Sequence, residues 1–329
     1  MTEAPYERIK ATGRLPSPTG VALAILKLTL DDSATVEAIT AVVEADPAIS
    51  ARLLRLVNSP LAGTSRQIAS VSRAVALLGR RIVASLALGF ALLADNRNGS
   101  CPAFDYDAFW AESLAQAVAA RHIAHHLGSF SPDEAFTCGL LAQIGRLALA
   151  TAYPYEYADV LAVATTDERE RLLEIEGRTF GINHFELAAA MMADWCLPAI
   201  FSTAVGDQAD GELAAREPAT RVNQAGQILG LAESIAMIVP RSTVYRDTLS
   251  FLVITAARVG VSPEVFGGVF DAISREWRET GSVYNVHTRK VPPLSEIYAQ
   301  ARERREVIAK TESDRCAIET TLERDYGRA

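Results

Sequence analysis

The chain has 329 residues, of which 49% are hydrophobic and 22% are charged, a composition typical of a globular protein and not of a fibrous or disordered one. Its formal net charge of −8 repels polyanions on average, so nucleic acid is not an expected partner. The four cysteines lack C-x-x-C spacing, which indicates neither a disulfide framework nor a zinc ribbon and fits a reducing cytosol. Neither a signal peptide nor an unbroken apolar run long enough to span a membrane is evident, so we expect a cytoplasmic protein without membrane contact.

The first 100 residues divide into a polar tail and a set of amphipathic helices. Residues 1–13 are predicted to be an irregular tail, and the proline-bracketed stretch that follows reads as an extended lead-in. Asp46 is a helix N-cap candidate because its side chain can accept hydrogen bonds from the first turn, where Pro47 has no N–H. Apolar residues at helical spacing predict helices over 21–30, 36–43, 47–57, 68–78 and 82–93.

Residues 101–285 form the second predicted region, a larger helical bundle. Ser131 and Asn183 each begin a capping-box pattern, and the helix after Ser131 is expected to bury apolar residues as far as Leu147. Other apolar repeats predict helices over 109–127, 200–205, 223–238, 244–259 and 263–277. Strand-type alternation is nearly absent, so the predicted fold class is all-α.

Residues 286–329 have a different composition and read as a linker or signalling helix. Acidic and basic side chains dominate the last part, where few apolar positions remain. Such a pattern fits a solvent-exposed helix and a homodimer-forming helix about equally well.

Searches for catalytic motifs find little. The glycine-rich phosphate loops and the G-x-S-x-G nucleophile motif are missing from the sequence. His122 and His126 share a helix face at i, i+4 spacing and would suit zinc, with His125 beside them. We favour a structural role, because no Glu or Cys partner is evident and imidazoles are stabilised near a helix C-terminus.

Several motifs, in a fixed order over residues 14–210, resemble the HDOD family, bacterial signalling domains related to HD-domain phosphohydrolases. They are LPSP at 15–18, DPAISARLLRLVNS at 46–59, SVSRAVALLG at 70–79, CGLLAQIGRL at 138–147, Glu176 with GINH at 181–184, and WCLP at 195–198. The resemblance implies a domain over 14–285, in which an N-terminal helical subdomain (14–100) packs on an HD-like helical bundle (101–285).

The resemblance also implies where a metal site would lie in catalytic relatives. Those proteins hold divalent metals with a histidine on the long helix, a His-Asp doublet on the next helix and a later aspartate. Aligned by motif, the doublet falls on Ala142 and Gln143, and the first histidine falls near Glu112 or Ser113. A later histidine pair of many relatives corresponds to Asp207 and Gln208. A methyl group cannot coordinate a metal and an amide is a poor substitute for a carboxylate, so we expect no metal, no cofactor and no hydrolase activity.

Candidate binding or structural residues come from the same motifs. Arg52 and Arg55 are three residues apart and could present one positive face to a partner. Asn58 is expected to satisfy backbone groups where its helix ends. Glu176 and His184 are expected to pair as a structural bridge. Trp195 is expected in the core, because it continues the apolar face of Leu187 and Met191.

The sequence therefore predicts a non-catalytic bacterial signal-transduction module that contacts a signalling protein or a fused output domain, with a possible link to cyclic-di-GMP signalling. Two alternatives stay open. One is a residual metal-dependent phosphohydrolase with a rearranged site made of Glu112, Glu176, His184 and Asp207. The other is a nucleotide-sensing module that binds a small anionic ligand in a cleft between the helical halves.

Overall fold

The computed structural model describes residues 4–18, 20–30, 34–58, 67–164, 169–210, 220–241 and 246–302. Throughout these ranges the regular structure is helical and no β-strand occurs, which confirms the predicted all-α class. The predicted helix in the charged segment after residue 302 lies outside the described residues.

The N-terminus is not the irregular tail that the sequence suggested. Pro5–Lys10 forms a helix, α1, whose Ile9 is fully buried. The Arg8 guanidinium donates to the backbone carbonyl of Phe180 at 2.5 Å, and Lys10 pairs with Asp194 at 2.5 Å. The sequence did not reveal this helix because most of its residues are polar and its polar partners, Phe180 and Asp194, lie 172 and 184 residues away along the chain.

Five helices make up the N-terminal region. Asp46 caps the third of them as predicted, because its carboxylate accepts from the N–H groups of Ala48 and Ile49 at 2.8 and 3.1 Å. The helices pack on one another, and two of them contact the second region: α4 contacts the helix at Pro263–Tyr284, and α6 contacts the helix at Pro132–Leu141. They are α2 (Gly20–Leu30), α3 (Val36–Glu44), α4 (Pro47–Val57), α5 (Val71–Leu78) and α6 (Arg80–Asp95).

The bundle is organised around the long helix α7, which packs against α8, α14 and α16. Gly128, in the left-handed conformation, ends α7 as predicted. Asn183 forms the full capping box at the start of α12. The helices are α7 (Tyr106–Leu127), α8 (Pro132–Leu141), α9 (Ile144–Ala152), α10 (Pro154–Val163), α11 (Arg169–Phe180), α12 (His184–Asp194), α13 (Ala199–Gly206), α14 (Arg221–Ala236), α15 (Arg246–Val259) and α16 (Pro263–Tyr284).

The helix expected to run from Pro132 to Leu147 is broken in two. Helix α8 ends at Leu141 and α9 begins at Ile144, so Ala142 and Gln143 form the break. Pro132–Ala152 as a whole is apolar and long enough to cross a membrane, but 89% of its most apolar window is buried inside the protein. Among the described residues, two pairs of consecutive helices with a sharp bend between them would also be long and apolar enough if each pair were counted as one segment.

The segment after α16 packs back on the bundle. The Leu294 N–H donates to the Asp271 carboxylate at 2.8 Å, and the Tyr298 hydroxyl donates to the Leu249 carbonyl at 3.1 Å. Leu294 and Ile297 are buried by these contacts. The first part of the predicted linker, up to residue 302, is therefore attached to α15 and α16.

Candidate functional site

A cavity of about 400 Å³ lies beside α7, α9, α12 and α14, and its lining includes Gln143, the second residue of the expected doublet. Its volume falls within the range of about 300–1,000 Å³ that is usual for small-molecule sites. Apolar side chains form part of the wall, among them Phe104, Phe109, Leu161, Leu172 and Met237. The polar side chains in the lining are Asp105, Glu112, Gln116, Gln143, Arg146, Arg169, His184, Glu233 and Arg241.

The doublet position faces a carboxylate. Ala142 is fully buried, and the Gln143 side-chain N–H donates to Glu233 Oε1 of α14 at 3.0 Å. The chain here lies close to the start of α12, because a Cβ at Gly145 would stand 1.9 Å from the His184 carbonyl oxygen. Glycine is therefore required at position 145, and this close approach places Gln143 and His184 on one cavity wall.

Glu112, at the expected first-histidine position, lies 3.7 Å from the Arg146 guanidinium. Burial raises the pKa of Glu112 above its ordinary value, although Arg146 and Arg241 act in the opposite direction. Its charge is thus balanced by arginine side chains of the chain itself.

The charge of Glu233 is also balanced by an arginine side chain. Its Oε2 lies 3.4 Å from the guanidinium of Arg169, which also donates to the Gln208 carbonyl at 2.6 Å. The Arg169 guanidinium stacks over the Phe185 ring at 4.9 Å. Arginine from α11 therefore connects the cavity wall to the turn after α13.

His184 and Glu176 form the expected pair, and both side chains are buried. Glu176 Oε2 lies 2.7 Å from His184 Nδ1 and accepts the His184 backbone N–H at 2.9 Å, while Oε1 accepts the Tyr157 hydroxyl at 2.9 Å. Burial alone would raise the pKa of Glu176, but the His184 side chain and these hydrogen bonds outweigh it, and the pKa lies below its ordinary value. Because Nδ1 is held by Glu176, the Nε2 edge of His184 is the polar edge left for the cavity.

The rearranged metal site does not assemble. Of its four residues, Glu112 and His184 line the cavity, whereas Glu176 lies behind His184 and Asp207 does not contribute to the lining. Gln208 is buried in a neighbouring groove, where it donates to the carbonyls of Ala204 and Gly226. Over the described part of the chain, no three His, Cys, Asp or Glu side chains are grouped to hold a metal ion. The residues present therefore do not fit the metals that bind in catalytic HD proteins.

The candidate residues of the N-terminal region make contacts within the protein. Arg52 lies over the Phe90 ring at 5.1 Å, and Arg55 reaches the Ser282 carbonyl at 3.4 Å. Asn58 donates to the carbonyls of Leu54 and Ile68 and accepts from the Ile68 N–H, as expected for a residue that satisfies a helix end. Both arginines thus have contacts within the protein, and the positive face for a partner stays a prediction.

Trp195 is less buried than the sequence predicted. It is half-buried at the end of α12, beside the N-terminal segment, and not inside the core, because α12 ends at Asp194 and its apolar face ends with it.

The two histidines at i, i+4 spacing have different surroundings. His122 Nε2 lies 2.6 Å from Glu276 Oε2, a partner 154 residues away, while His126 is exposed. The i, i+4 histidines therefore do not share a site, and His122 has the structural role that the sequence favoured.

Sequence reasoning missed most of the cavity lining. Arg146 lies inside a motif that was recognised, only three residues after Gln143. That short distance along the chain from the doublet position was the available signal. Glu233, Arg169 and Gln116 had no such signal, because their role depends on how α14, α11 and α7 meet.

The chain is similar to several known proteins. The HDOD domain model matches residues 15–210. The MmoQ response regulator from Methylococcus capsulatus str. Bath is 36% identical, with 78% of this chain and 98% of that chain covered and a TM-score of 0.50. A protein from Shewanella amazonensis SB2B, provisionally named a phosphohydrolase, is 23% identical over 86% and 98% of the two chains, with a TM-score of 0.65. An HDOD domain protein with unknown function from Geobacter sulfurreducens is 21% identical over 85% and 95%, with a TM-score of 0.61. No curated protein sequence matches this chain.

The structural matches show the fold class of this protein, which is an all-helical domain with an HD-like bundle. The family model covers more than half of the sequence and includes the motifs described above. The chain belongs to the HDOD domain family.

Proposed function

We propose that this protein is a non-catalytic module of bacterial signal transduction that acts through contacts with other proteins. One observation carries the proposal: alanine and glutamine occupy the doublet position, and the cavity carboxylates Glu112 and Glu233 are paired with arginines. Metal-dependent hydrolysis requires several deprotonated ligands around one ion to activate water. Glu112 and Glu233 are instead occupied by charges that the chain supplies.

The signalling role is supported by the likeness to the MmoQ response regulator, which is 36% identical over 78% of this chain. Fold alone does not fix function, so the argument rests on that likeness together with the altered cavity. We propose a signalling protein or an output domain as the partner, and cyclic-di-GMP signalling as the pathway class that the family resemblance suggests. A homodimer through the charged segment after residue 302 belongs to the same proposal.

Metal analysis and a hydrolysis assay test the catalytic half of the proposal. Purified full-length protein is incubated with Mn²⁺, Fe²⁺ or Zn²⁺, desalted and examined by elemental analysis, and then assayed with bis(p-nitrophenyl) phosphate and cyclic di-GMP. We expect metal well below one ion per chain and no turnover. Stoichiometric metal with turnover that is lost in His184→Ala would contradict the proposal and favour a residual phosphohydrolase.

A host strain that lacks the gene tests the signalling half. We expect a change in cellular cyclic-di-GMP level on deletion, and restoration by both the wild type and Glu112→Gln, because no hydrolytic carboxylate is needed. An unchanged level on deletion would contradict the link to this messenger.

Light scattering of the full chain and of a chain that ends at residue 302 tests the homodimer. The shorter chain is expected to be monomeric.

A further inference from the structure

His184 presents an unused hydrogen-bonding atom to the cavity. Its side chain is 3% exposed and belongs to the cavity lining. Nδ1 lies 2.7 Å from Glu176 Oε2, whereas Nε2 has no hydrogen-bond partner among the described residues. Buried polar atoms in native proteins nearly always have a partner. An imidazole that is fixed at one nitrogen and unpaired at the other indicates that a molecule in the cavity completes its hydrogen bonds.

The tautomer of His184 follows from its partner. Burial acts to raise the pKa of Glu176, but the His184 side chain and the hydrogen bonds to the carboxylate outweigh it, and the pKa lies below its ordinary value. An ionised carboxylate can only accept a hydrogen bond, so Nδ1 carries the proton and donates. In the neutral imidazole, Nε2 is then an acceptor. The molecule in the cavity must therefore supply an N–H or O–H donor.

The charged side chains of the lining balance one another. Three guanidinium groups (Arg146, Arg169 and Arg241) share the lining with three carboxylates (Asp105, Glu112 and Glu233). Arg146 lies 3.7 Å from Glu112, and Arg169 lies 3.4 Å from Glu233. A charged ligand would have to compete with these pairs and would lose hydration that the site does not replace. The balance therefore favours an uncharged ligand.

The rest of the lining favours a ligand with a flat apolar body. It consists of Phe104, Phe109, Leu161, Leu172 and Met237 together with four alanines. The centroids of the Phe104 and Phe109 rings lie 5.3 Å apart, and both side chains are buried. Such rings pack well against another aromatic ring. A volume of about 400 Å³ accommodates one molecule of metabolite size.

We infer that this cavity binds an uncharged aromatic molecule that carries an N–H or O–H group, and that His184 Nε2 accepts the hydrogen bond from this group. Glu176 is a positioning residue, because it acts on the ligand through His184. Binding itself follows from the cavity alone, whereas the role of the ligand as a signal for the module rests on the proposed function.

Isothermal titration calorimetry of the full chain with matched indoles tests the charge of the ligand. Tryptophol is neutral, indole-3-acetate is an anion and tryptamine is a cation, and all three have the same ring. We expect 1:1 binding of tryptophol with a Kd below about 1 mM, and binding of the two charged probes that is about tenfold weaker or less. Tighter binding of either charged indole would overturn the inference.

Two further neutral probes, 2-naphthol and vanillyl alcohol, extend the test to other aromatic rings with an O–H donor. If tryptophol and both of these bind more weakly than about 1 mM, the cavity holds water only and the inference is wrong.

His184→Asn tests the hydrogen bond, because the asparagine amide can still donate to Glu176 and has no atom in place of Nε2. The affinity for the best neutral probe is expected to fall about three- to tenfold, the effect of one hydrogen bond. His126→Asn, at an exposed histidine outside the cavity lining, is the matched control and should keep the wild-type affinity. Equal affinity in His184→Asn and the wild type would contradict the inference.

Leu172→Trp gives a second measurement that leaves the buried pair intact. Leu172 and Leu173 are neighbouring half-buried residues of α11, and Leu172 lines the cavity whereas Leu173 does not. The larger side chain should occupy part of the cavity and weaken binding of the neutral probe about tenfold or more. Leu173→Trp should leave the affinity unchanged, and equal affinity in the two variants would show that the probe binds elsewhere.

Failure of the two proposals can be told apart. Absent binding removes the ligand site and leaves the non-catalytic function in place. Turnover in the hydrolysis assay removes the non-catalytic function and leaves the ligand site in place.

Discussion

Two glutamates bind histidines in the described part of this protein, the fully buried Glu176 and the partly buried Glu276, and the two pairs have different roles. Glu276 on α16 accepts from Arg121 at 2.7 Å and lies 2.6 Å from His122 Nε2, and it thereby ties α16 to α7. Glu176 on α11 binds His184 and Tyr157, and its histidine lines the cavity. The first cluster connects two helices, and the second orients a side chain toward open space. An acid–histidine pair is thus recognised as a possible site element by what lies beyond the histidine.

Removal of the Glu176 side chain is expected to have the largest effect. Glu176→Ala leaves the buried Tyr157 hydroxyl and two His184 N–H groups without their acceptor, so the free energy of unfolding should fall by about 3–5 kcal/mol. Urea unfolding followed by circular dichroism measures the change. Glu174→Ala on the same helix, where the side chain forms an exposed pair with Arg178, is the control and should lose at most about 0.5 kcal/mol. A loss below about 1 kcal/mol for Glu176→Ala would show that the buried cluster is not structural.

Glu276→Gln should cost less, because this side chain is 12% exposed and the amide oxygen can still accept one hydrogen bond. We expect a loss of about 1.5–3 kcal/mol in the free energy of unfolding, the usual range for hydrogen bonds to charged groups. Glu279→Gln, one turn further along α16, should stay within about 0.5 kcal/mol of the wild type. If Glu276→Gln were as costly as Glu176→Ala, the distinction between the two clusters would fail.

The pH dependence of stability distinguishes the glutamates by the direction of their pKa shifts. The pKa of Glu276 is lowered because His122 and Arg121 outweigh the effect of burial, as His184 does for Glu176. A lowered folded-state pKa contributes stability that is present above the unfolded value of about 4.5 and is lost as the pH falls below it. Stability should therefore decline below about pH 4.5, less steeply in Glu276→Gln.

Glu112 has a raised pKa, so stability rises as the pH falls through that pKa towards about 4.5, above the range of the decline. Glu112→Gln should remove this rise and leave the decline below about pH 4.5 as steep as in the wild type. Urea midpoints measured between pH 3 and 7 test both variants, and a decline below pH 4.5 that is equally steep in Glu276→Gln and Glu112→Gln would contradict the assignment.

Arg55→Ala gives the smallest expected effect and a baseline for the comparison. Arg55 is exposed, and its one long contact joins α4 to α16 at 3.4 Å. The free energy of unfolding should change by no more than about 0.5 kcal/mol. A change of the size expected for Glu276→Gln would mean that this surface contact between the two regions holds them together as strongly as a buried cluster does.

Part of the candidate site was predictable from the sequence. Glu176 with His184 and Asn58 at its helix end were recognised because each lies in a motif and pairs over eight to ten residues. The break at Gln143 was not, since it interrupts a continuous apolar pattern without a proline. Its position reflects the close contact of Gly145 with His184, which no local propensity encodes.

The capped helix starts at Asp46 and Asn183, and the family, were determined by the sequence alone. The bonds at Asp46 and Asn183 join atoms two or three residues apart, so they depend on neighbours in the chain and not on the fold. The tertiary structure alone decided that Gln143 meets Glu233, 90 residues away, and that Arg121 meets Glu276, 155 residues away. Such pairs form only after several helices have packed, because the crossing of their axes brings the side chains within hydrogen-bond distance.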